Sequence, residues 1–305
     1  MNDADVNVVV VGSIGIDTIE TPTDRREEIL GGSASYASVA GSYAATMGIV
    51  GIAGTDFPTA FTDLYARFEI NQDGLQVAEG KTFRWSGVYE ENMNNRRTLR
   101  TDLNVFADFT PDLPDHYRRA PYVLLGNISP ALQLHVLDQI SDPRFVMADT
   151  MDLWIDTARD DLIEVIRRVD MLTLNDSEAR HLTGNQSLPA AAGDLLSYGP
   201  SQVLIKKGEH GSMLFSGDRR FVMPAYPIDD VADPTGAGDS FAGGFIGALA
   251  AADDLSDASM RRALVFGNVI ASFGVEDFGL DRFAQLHLED IEERVSEFRR
   301  ITHLP

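Results

Sequence analysis

The 305-residue sequence contains no cysteine, which excludes disulfide bonds, thiolate metal sites and a cysteine nucleophile. It has no run approaching eighteen uninterrupted apolar residues, and it opens on the acidic stretch MNDAD. We therefore expect neither a membrane span nor a secretory signal, and a cytoplasmic location. The six histidines are scattered without metal-ligand spacing, and we expect them to be surface or packing residues.

Lysine is also scarce. There are 3 lysines against 22 arginines and 32 aspartates against 15 glutamates, and the net charge is −22. Such an acidic surface repels phosphate backbones, so a nucleic-acid partner is not expected. A lysine-poor, aspartate-rich composition is typical of proteins in molar salt, where screening weakens self-repulsion. We hypothesise a halophilic source; the alternative is an ordinary acidic protein.

The remaining composition is that of a globular protein, with 44% apolar and 24% charged residues. No internal repeat, low-complexity tract or long linker divides the chain, so we expect one domain over residues 1–305. Apolar runs alternate with helical segments, which predicts an α/β fold with a mostly parallel sheet between helix layers. The predicted strands are 6–11, 49–53, 122–125, 145–148, 171–174, 203–206, 213–215 and 220–223. The predicted helices are 33–47, 57–68, 131–140, 156–169, 176–182, 188–198, 238–251 and 258–273.

One region differs from this pattern. Thr82–Glu90 is aromatic and alternating, and Arg97–Val105 follows a polar turn. The two segments predict an antiparallel pair outside the parallel core. We expect a small β lid over one sheet edge, formed mainly by 82–105 with parts of 13–30. The nearby Gly80-Lys81-Thr82 is not a P-loop, because the first glycine of that motif is replaced by Leu75.

The strongest local signal is the segment DPTGAGDS, residues 233–240. Gly236 and Gly238 allow close backbone approach just before a predicted helix, whose first N–H groups favour an anion. Asp239 lies in the first turn, is ionised at neutral pH, and is able to accept a proton from an attacking alcohol. A simple N-cap accounts for one aspartate and one glycine, but not for the whole motif.

This segment closely resembles the C-terminal signature of the PfkB (ribokinase-like) family of sugar and nucleoside kinases. Residues 31–36, GGSASY, resemble its earlier di-glycine signature, and the order of elements is similar from about Val8 to Gly279. The resemblance implies a ribokinase-like fold and phosphorylation of a hydroxymethyl group on a sugar or sugar-like substrate, with ATP and Mg²⁺. It implies that Asp239 is the catalytic base and that Gly236, Ala237 and Gly238 hold the transferring phosphate. It further implies that Asp233 and Thr235 help bind a monovalent cation, usually K⁺.

On the nucleotide side, Asn175 and Glu178 match the family's N-x-x-E motif, which organises Mg²⁺ through water. The alternative is a helix capping box. Lys206, Lys207, Gly208 and Gly211 resemble the loop beside the nucleotide's ribose and phosphates, although a solvated lysine pair is an equal alternative. Gly267, Asn268 and, less closely, Val275–Gly279 match positions that line the adenine pocket; ordinary helix packing is the alternative.

On the substrate side, Asp17 follows the first strand at the sheet edge where open α/β folds bind ligands. The resemblance implies that Asp17 bonds substrate hydroxyls and that Gly31, Gly32 and Ser33 lie under the sugar. Tyr36 stands where many sugar kinases have Asn, and its ring offers a stacking face, which keeps a nucleoside substrate open. In the lid, Arg84, Trp85 and Arg100 are candidate substrate contacts or merely exposed strand residues.

Two other functions remain as alternatives. One is a nucleoside kinase with the same machinery, and the other is a nucleotide-binding regulator that has lost catalysis. The second is disfavoured because a mere binder needs neither Asp239 nor the Asn175 and Glu178 pair. We expect a small-molecule substrate, and a homodimer is one candidate assembly.

Overall fold

The computed structural model describes residues 6–303; the predicted features at 1–5 and 304–305 lie outside this range. The strands are β1 Val8–Val11, β2 Gly15–Glu20, β3 Arg25–Gly31, β4 Met47–Gly54, β5 Asn71–Ala78, β6 Phe83–Tyr89, β7 Arg96–Asp102, β8 Tyr122–Leu125, β9 Phe145–Asp149, β10 Met171–Asn175, β11 Gln202–Lys206, β12 Ser212–Ser216 and β13 Arg219–Met223. The helices are α1 Ser33–Ser42, α2 Thr59–Arg67, α3 Pro130–Leu137, α4 Asp152–Thr157, α5 Arg159–Arg168, α6 Asp176–Thr183, α7 Leu188–Ser197, α8 Ala237–Ala252, α9 Asp257–Gly274 and α10 Leu288–Ile301. None of these helices is both long and apolar enough to cross a membrane.

The main sheet has nine strands in the order β13-β12-β11-β10-β9-β8-β1-β4-β5. The seven strands from β11 to β5 pair in parallel, and β12 and β13 continue antiparallel at one edge. Strand β1 shows why the sheet lies between two helix layers. Val8 and Val10 pack into the core cluster shared with α1, α8 and α9, whereas Val9 and Val11 pack into the cluster shared with α3 and α5. The predicted three-layer α/β/α architecture is confirmed.

Helices α1 and α8 pack closely because small residues line their contact. A side chain at Gly243 would overlap the backbone of Ala37, so only glycine permits this approach. The predicted helix 33–47 ends earlier, at Ser42, because the chain must turn back to the sheet before β4. Met47, predicted as helical, is buried and begins β4.

A second, four-stranded sheet has the order β3-β2-β6-β7. Strands β6 and β7 pair antiparallel, as their sequence pattern predicts, and β2 pairs parallel with β6 and antiparallel with β3. This sheet therefore joins residues 15–31, which follow β1, to the inserted hairpin. We refer to it below as the lid sheet; its role as a lid stays a prediction.

Three elements differ from the sequence-based expectation. Strand β5 was not predicted because its sequence, NQDGLQVA, is mostly polar, which an edge strand tolerates. The single predicted helix 156–169 is two helices, α4 and α5, which meet at the non-helical Ala158. Helix α10 lies beyond the predicted elements and packs through Ile291 and Phe298.

Candidate active site

The candidate site lies at the edge where the parallel strands of the main sheet end. The last residues of three neighbouring strands, β9, β10 and β11, are Asp149, Asn175 and Lys206. The start of α8, which carries Asp239, and the start of the lid sheet, which carries Asp17, adjoin this edge. Carboxyl ends of parallel strands are the usual ligand-binding edge of such a sheet.

The segment before α8 forms a loop with open backbone donors. Gly236 adopts the left-handed conformation (φ 73°) and is the N-cap of α8, without a side-chain cap. The N–H of Ala237 donates to the carbonyl of Pro234 (3.2 Å), whereas those of Gly236 and Gly238 have no backbone partner within residues 6–303. Of the three predicted phosphate-binding amides, two are therefore open, and Ala237 is corrected to a residue that shapes the loop.

Asp239 is partly buried in the first turn of α8. Desolvation, and next the charge of Asp149, raise the pKa of this carboxyl to about 6, against the opposing effect of Lys206 and Arg96. It is therefore mainly ionised at neutral pH, with a pKa close enough to neutrality for efficient proton transfer. This is the electrostatic setting that a general base requires.

Asp17 is 4% exposed on β2, and its carboxylate packs directly on Gly31, where any Cβ atom would overlap it. Burial, and next Asp233, raise the pKa of Asp17 to about 8. Its Oδ1 is buried without a hydrogen-bond partner among the described residues. Such an atom carries a desolvation cost that a substrate hydroxyl would relieve.

The di-glycine segment supports this carboxylate. Gly32 has a φ of 94° and approaches the carbonyl of Ser13 so closely that no side chain fits. Ser33 Oγ accepts a hydrogen bond from the N–H of Ser13 (3.1 Å). Ser33 therefore fastens α1 to the loop after β1, and its hydroxyl is already used in the scaffold.

Tyr36 is buried beneath the loop before α8. Its ring lies against Gly236, where a Cβ atom would overlap it, and the residue is only 2% exposed. The expectation of a ring face for stacking on a ligand is therefore wrong, because α1 and the loop cover the ring. Its hydroxyl has no partner in the described chain, and burial, followed by Asp233, raises the pKa of Tyr36, so it remains a protonated donor.

Asn175 and Glu178 form the capping box of α6. Asn175 Oδ1 accepts from the N–H of Glu178 (2.8 Å), and Glu178 Oε2 accepts from the N–H of Asn175 (2.7 Å). The structural alternative is thus present, but it uses only one carboxylate oxygen of Glu178. Burial and Asp149 raise the pKa of Glu178 to about 8, so a nearby cation would stabilise its ionised form.

Lys206 and Lys207 differ sharply in their surroundings. Lys206 Nζ bonds Asp149 Oδ2 at 2.5 Å, with side chains 16% and 6% exposed. Asp149 was not predicted; the available signal was its position as the polar residue that ends a buried strand. Lys207 begins a tight turn whose Gly208 (φ 54°) and Gly211 (φ 82°) are both left-handed, so the two predicted glycines shape this loop.

Asn268 has a structural role in addition to the predicted one. Its Oδ1 accepts from the N–H of Tyr226 (2.9 Å), and its Nδ2 donates to the carbonyl of Pro224 (2.9 Å). Both ends of the amide bond the backbone after β13, so this side chain fixes that segment, and its contact with a nucleotide stays a prediction. The preceding Gly267 packs against Phe241 and Phe245 of α8.

The arginines of the lid sheet lie on opposite faces, because successive side chains along a strand point to alternate sides. Asp17 pairs with Trp85, and Tyr89 with Arg96, so these four residues share the inner face. Arg84 and Arg100 lie on the outer face: Arg84 pairs with Glu28 and Asp56, and Arg100 is 73% exposed beside Asp102. The predicted substrate contacts of Arg84 and Arg100 are corrected accordingly.

Arg96 is the inner-face cation that the sequence analysis missed, because the predicted strand began one residue later. Its guanidinium lies 5.4 Å from the centre of the Trp85 ring. Its charge lowers the pKa of both Asp17 and Asp239, against larger opposing effects of burial. The inner face of the lid sheet thus directs positive charge toward the two carboxylates.

Two contacts join the lid sheet to the rest of the site. Thr235 Oγ1 donates to the Tyr89 hydroxyl (3.0 Å), and Asn94 Nδ2 at the hairpin tip donates to Glu209 Oε1 (2.9 Å). The hairpin therefore reaches both the loop before α8 and the turn after β11. Asp233 anchors the first of these loops by accepting from the N–H groups of Thr235 (2.9 Å) and Gly279 (3.1 Å).

Comparison with known proteins identifies the family and the fold. A family model described as pfkB family carbohydrate kinase matches residues 5–285. The chain is 31% identical over 247 residues to a cytidine kinase of Thermococcus kodakarensis, covering 79% of this chain and 87% of that protein. It is also similar to the solved nucleoside kinase of Methanocaldococcus jannaschii, an archaeal member of the ribokinase family, with a TM-score of 0.78, 20% identity and coverage of 96% and 99%. A putative ribokinase II of E. coli, solved with ATP and Mg²⁺, gives a TM-score of 0.77, 18% identity and coverage of 96% and 99%.

Proposed function

The chain belongs to the pfkB family of carbohydrate kinases, and from this premise we propose that it transfers the γ-phosphoryl group of ATP to the hydroxymethyl group of a ribose unit. The proposal rests mainly on one arrangement. Asp239 directly follows the open backbone amides in sequence, and its charge acts on the buried, incompletely paired Asp17. Phosphoryl transfer needs a positioned hydroxyl, a proton acceptor and donors for the phosphoryl oxygens, and these groups supply all three.

In the proposed step, the acceptor oxygen forms a bond to Pγ as the bond between Pγ and the β–γ bridging oxygen breaks. ADP leaves with that electron pair, and the hydroxyl proton passes to the Asp239 carboxylate. The N–H groups of Gly236 and Gly238 donate to the equatorial phosphoryl oxygens, where charge must be stabilised. Asp17 accepts a hydrogen bond from a neighbouring hydroxyl of the acceptor and fixes its orientation.

Magnesium suits the nucleotide side of this site. Glu178 keeps one carboxylate oxygen free of the capping box, and that oxygen is available to a water ligand of the ion. Among residues 6–303, no three acidic or histidine side chains form a metal-binding group, so ATP phosphates and water would complete the shell. Glu178 and Asn175 would orient the water ligands of a bound Mg²⁺, which would neutralise charge on the phosphates.

A monovalent cation such as K⁺ is proposed beside Asp233. This carboxylate is fully buried, and its partners are backbone N–H groups with no arginine or lysine among them. Carboxylate and hydroxyl oxygens from Asp233 and Thr235 are suitable ligands for a hard cation. We expect turnover in K⁺ buffer to exceed turnover in tetramethylammonium buffer at equal ionic strength; equal rates would contradict the cation site.

We propose that the preferred acceptor is a nucleoside and not a free sugar, because the relative named cytidine kinase is similar over most of both chains. ATP consumption measured with cytidine, inosine, ribose, fructose and myo-inositol tests this order. We expect the highest kcat/KM with a nucleoside. Faster phosphorylation of ribose would favour the sugar kinase, and no turnover with any acceptor would favour the non-catalytic regulator.

A further inference from the structure

The ion pair between Asp149 and Lys206 spans the centre of the sheet edge. These residues end β9 and β11, and β10 lies between the two strands. The register pairs Asp149 with Thr173 and Lys206 with Asn175, so the two side chains meet above the end of β10 at a distance of 2.5 Å. The bond therefore lies directly beside the segment that carries Asn175 and Glu178.

The ammonium also faces the loop before α8. A Cβ atom built on Gly238 would lie 3.2 Å from Lys206 Nζ, and its next nearest atoms also belong to Lys206. The lysine thus fills the space next to an amide that has no backbone partner in the described chain. A larger residue at position 238 would crowd the ammonium, which gives this glycine a second role besides close backbone approach.

The charge of Lys206 is maintained by its surroundings. Burial favours the neutral amine, but Asp149, Glu178 and Asp239 together raise the pKa of Lys206, so it stays cationic. A buried ion pair contributes little net stability compared with apolar residues of similar size. Its position between the acidic strand ends and the open amides therefore indicates a role in the reaction.

Resting on the proposed function, we propose that Lys206 is a catalytic residue that contacts the transferring phosphoryl group and that Asp149 is the positioning residue that holds its ammonium beside Gly238. As the acceptor oxygen bonds to Pγ and ADP departs with the bridging electron pair, the ammonium donates to a phosphoryl oxygen. It loses no proton, because the acceptor's proton goes to Asp239. Lys206 thus adds a full positive charge to the partial charges of the loop amides.

The first test compares Lys206→Met with Lys81→Met, a control that removes the same charge from an exposed site outside the cleft. We expect Lys206→Met to lower kcat by about 100-fold and the control to leave it unchanged. Asp149→Asn keeps the shape of the side chain but weakens its bond to the Lys206 ammonium, which is then held less precisely. We therefore expect kcat to fall about 10-fold. A rise in KM for ATP with kcat unchanged in both variants would overturn the proposal.

A second measurement does not depend on turnover. Calorimetric titration with the Mg²⁺ complexes of AMP-PNP and ADP gives the preference for a γ-phosphate. We expect Lys206→Met to lose most of this preference and Lys81→Met to retain it; an unchanged preference would overturn the proposal. If Lys206→Met does not fold, Lys206→Gln removes the charge but keeps a polar side chain, and unchanged kcat and preference in that variant would count equally against the proposal.

These outcomes separate the two proposals. If the wild-type chain phosphorylates no acceptor, the proposed function fails, whereas the nucleotide titration still tests Lys206. If the wild type is active and Lys206→Met is equally active, only the present inference fails.

Discussion

At the scale of single residues, Asp239 is the most informative position. Asp239→Asn keeps the shape of the side chain but removes the proton acceptor. We expect kcat to fall by about 100-fold or more, because general-base catalysis contributes 10²–10⁴-fold, while the fold and the affinity for Mg²⁺·AMP-PNP are retained. Steady-state kinetics and calorimetry measure the two quantities. Undiminished turnover in a folded variant would remove Asp239 from the proposed step.

The pH dependence follows from the same carboxyl. Its pKa is raised to about 6, so the protonated, inactive form predominates below that pH. We expect kcat/KM of the wild type to rise with pH through about 6, since this parameter reports the free enzyme. A profile that is flat from pH 5 to pH 7 would contradict the assignment.

Asp17 gives a prediction about stability. Its pKa of about 8 exceeds the ordinary aspartate value, so the folded state holds the proton more tightly than the unfolded state. This stabilisation is complete below about pH 4 and is lost as the pH rises through 8. Asp17→Asn should therefore raise the melting temperature more at pH 8.5 than at pH 5, and the exposed Asp63→Asn on α2 serves as its control. An equal rise in melting temperature at both pH values would contradict the raised pKa of Asp17.

From the sequence, candidate residues are predicted where a local motif carries the chemistry, as for Asp239 and Asp17. It could not identify Asp149, because a lone aspartate after a strand acquires meaning only when Lys206 from another strand reaches it. The hydrogen bonds between Asn268 and the backbone could not be predicted for a similar reason. Its partners, Pro224 and Tyr226, are more than forty residues away and are unrelated to it by any local pattern.

At the scale of elements, strand pairing in the lid sheet determines which side chains lie on its inner face. The sequence predicted the β6–β7 hairpin, but it could not assign the inner face without the pairing to β2 and the irregularity between Ser86 and Gly87. That pairing turns Arg84 and Arg100 outward and Arg96 inward. If the lid sheet closes over the site as we predict, it both excludes water and brings a cation to the carboxylates.

The neighbouring arginines of β7 provide a matched test. Arg96→Ala removes the inner cation, whereas Arg97→Ala removes the same charge from the opposite face. We expect Arg96→Ala to lower kcat/KM by about 10- to 100-fold, and Arg97→Ala to stay within about twofold of the wild type. Steady-state kinetics at two salt concentrations check that the difference is local. Equal losses in both variants would indicate only a general effect of net charge.

At the scale of the whole molecule, a strongly acidic surface surrounds a cleft in which two cations lie among the carboxyl groups. The chain carries a net charge of −22, yet two of its 25 basic side chains, Lys206 and Arg96, are directed toward the site where anionic nucleotide is proposed to bind. Long-range repulsion of ATP by the acidic surface is screened by salt, whereas the close, partly buried contacts of the cleft are screened much less. Added salt should therefore assist nucleotide approach and stabilise the acidic fold together.

The surface charge predicts a strong dependence of stability on salt. Many of the acidic side chains are exposed and exceed the available arginines, so self-repulsion in the folded state is large at low ionic strength. The Debye length falls from about 10 Å at 0.1 M to about 3 Å at 1 M, which removes most of this repulsion. We expect the melting temperature to rise by at least about 10 °C between 0.1 M and 2 M KCl.

Tetramethylammonium chloride at equal concentrations separates screening from specific K⁺ binding at Asp233, since screening acts with either cation. A melting temperature independent of both salts would contradict the halophilic interpretation and leave an ordinary acidic kinase.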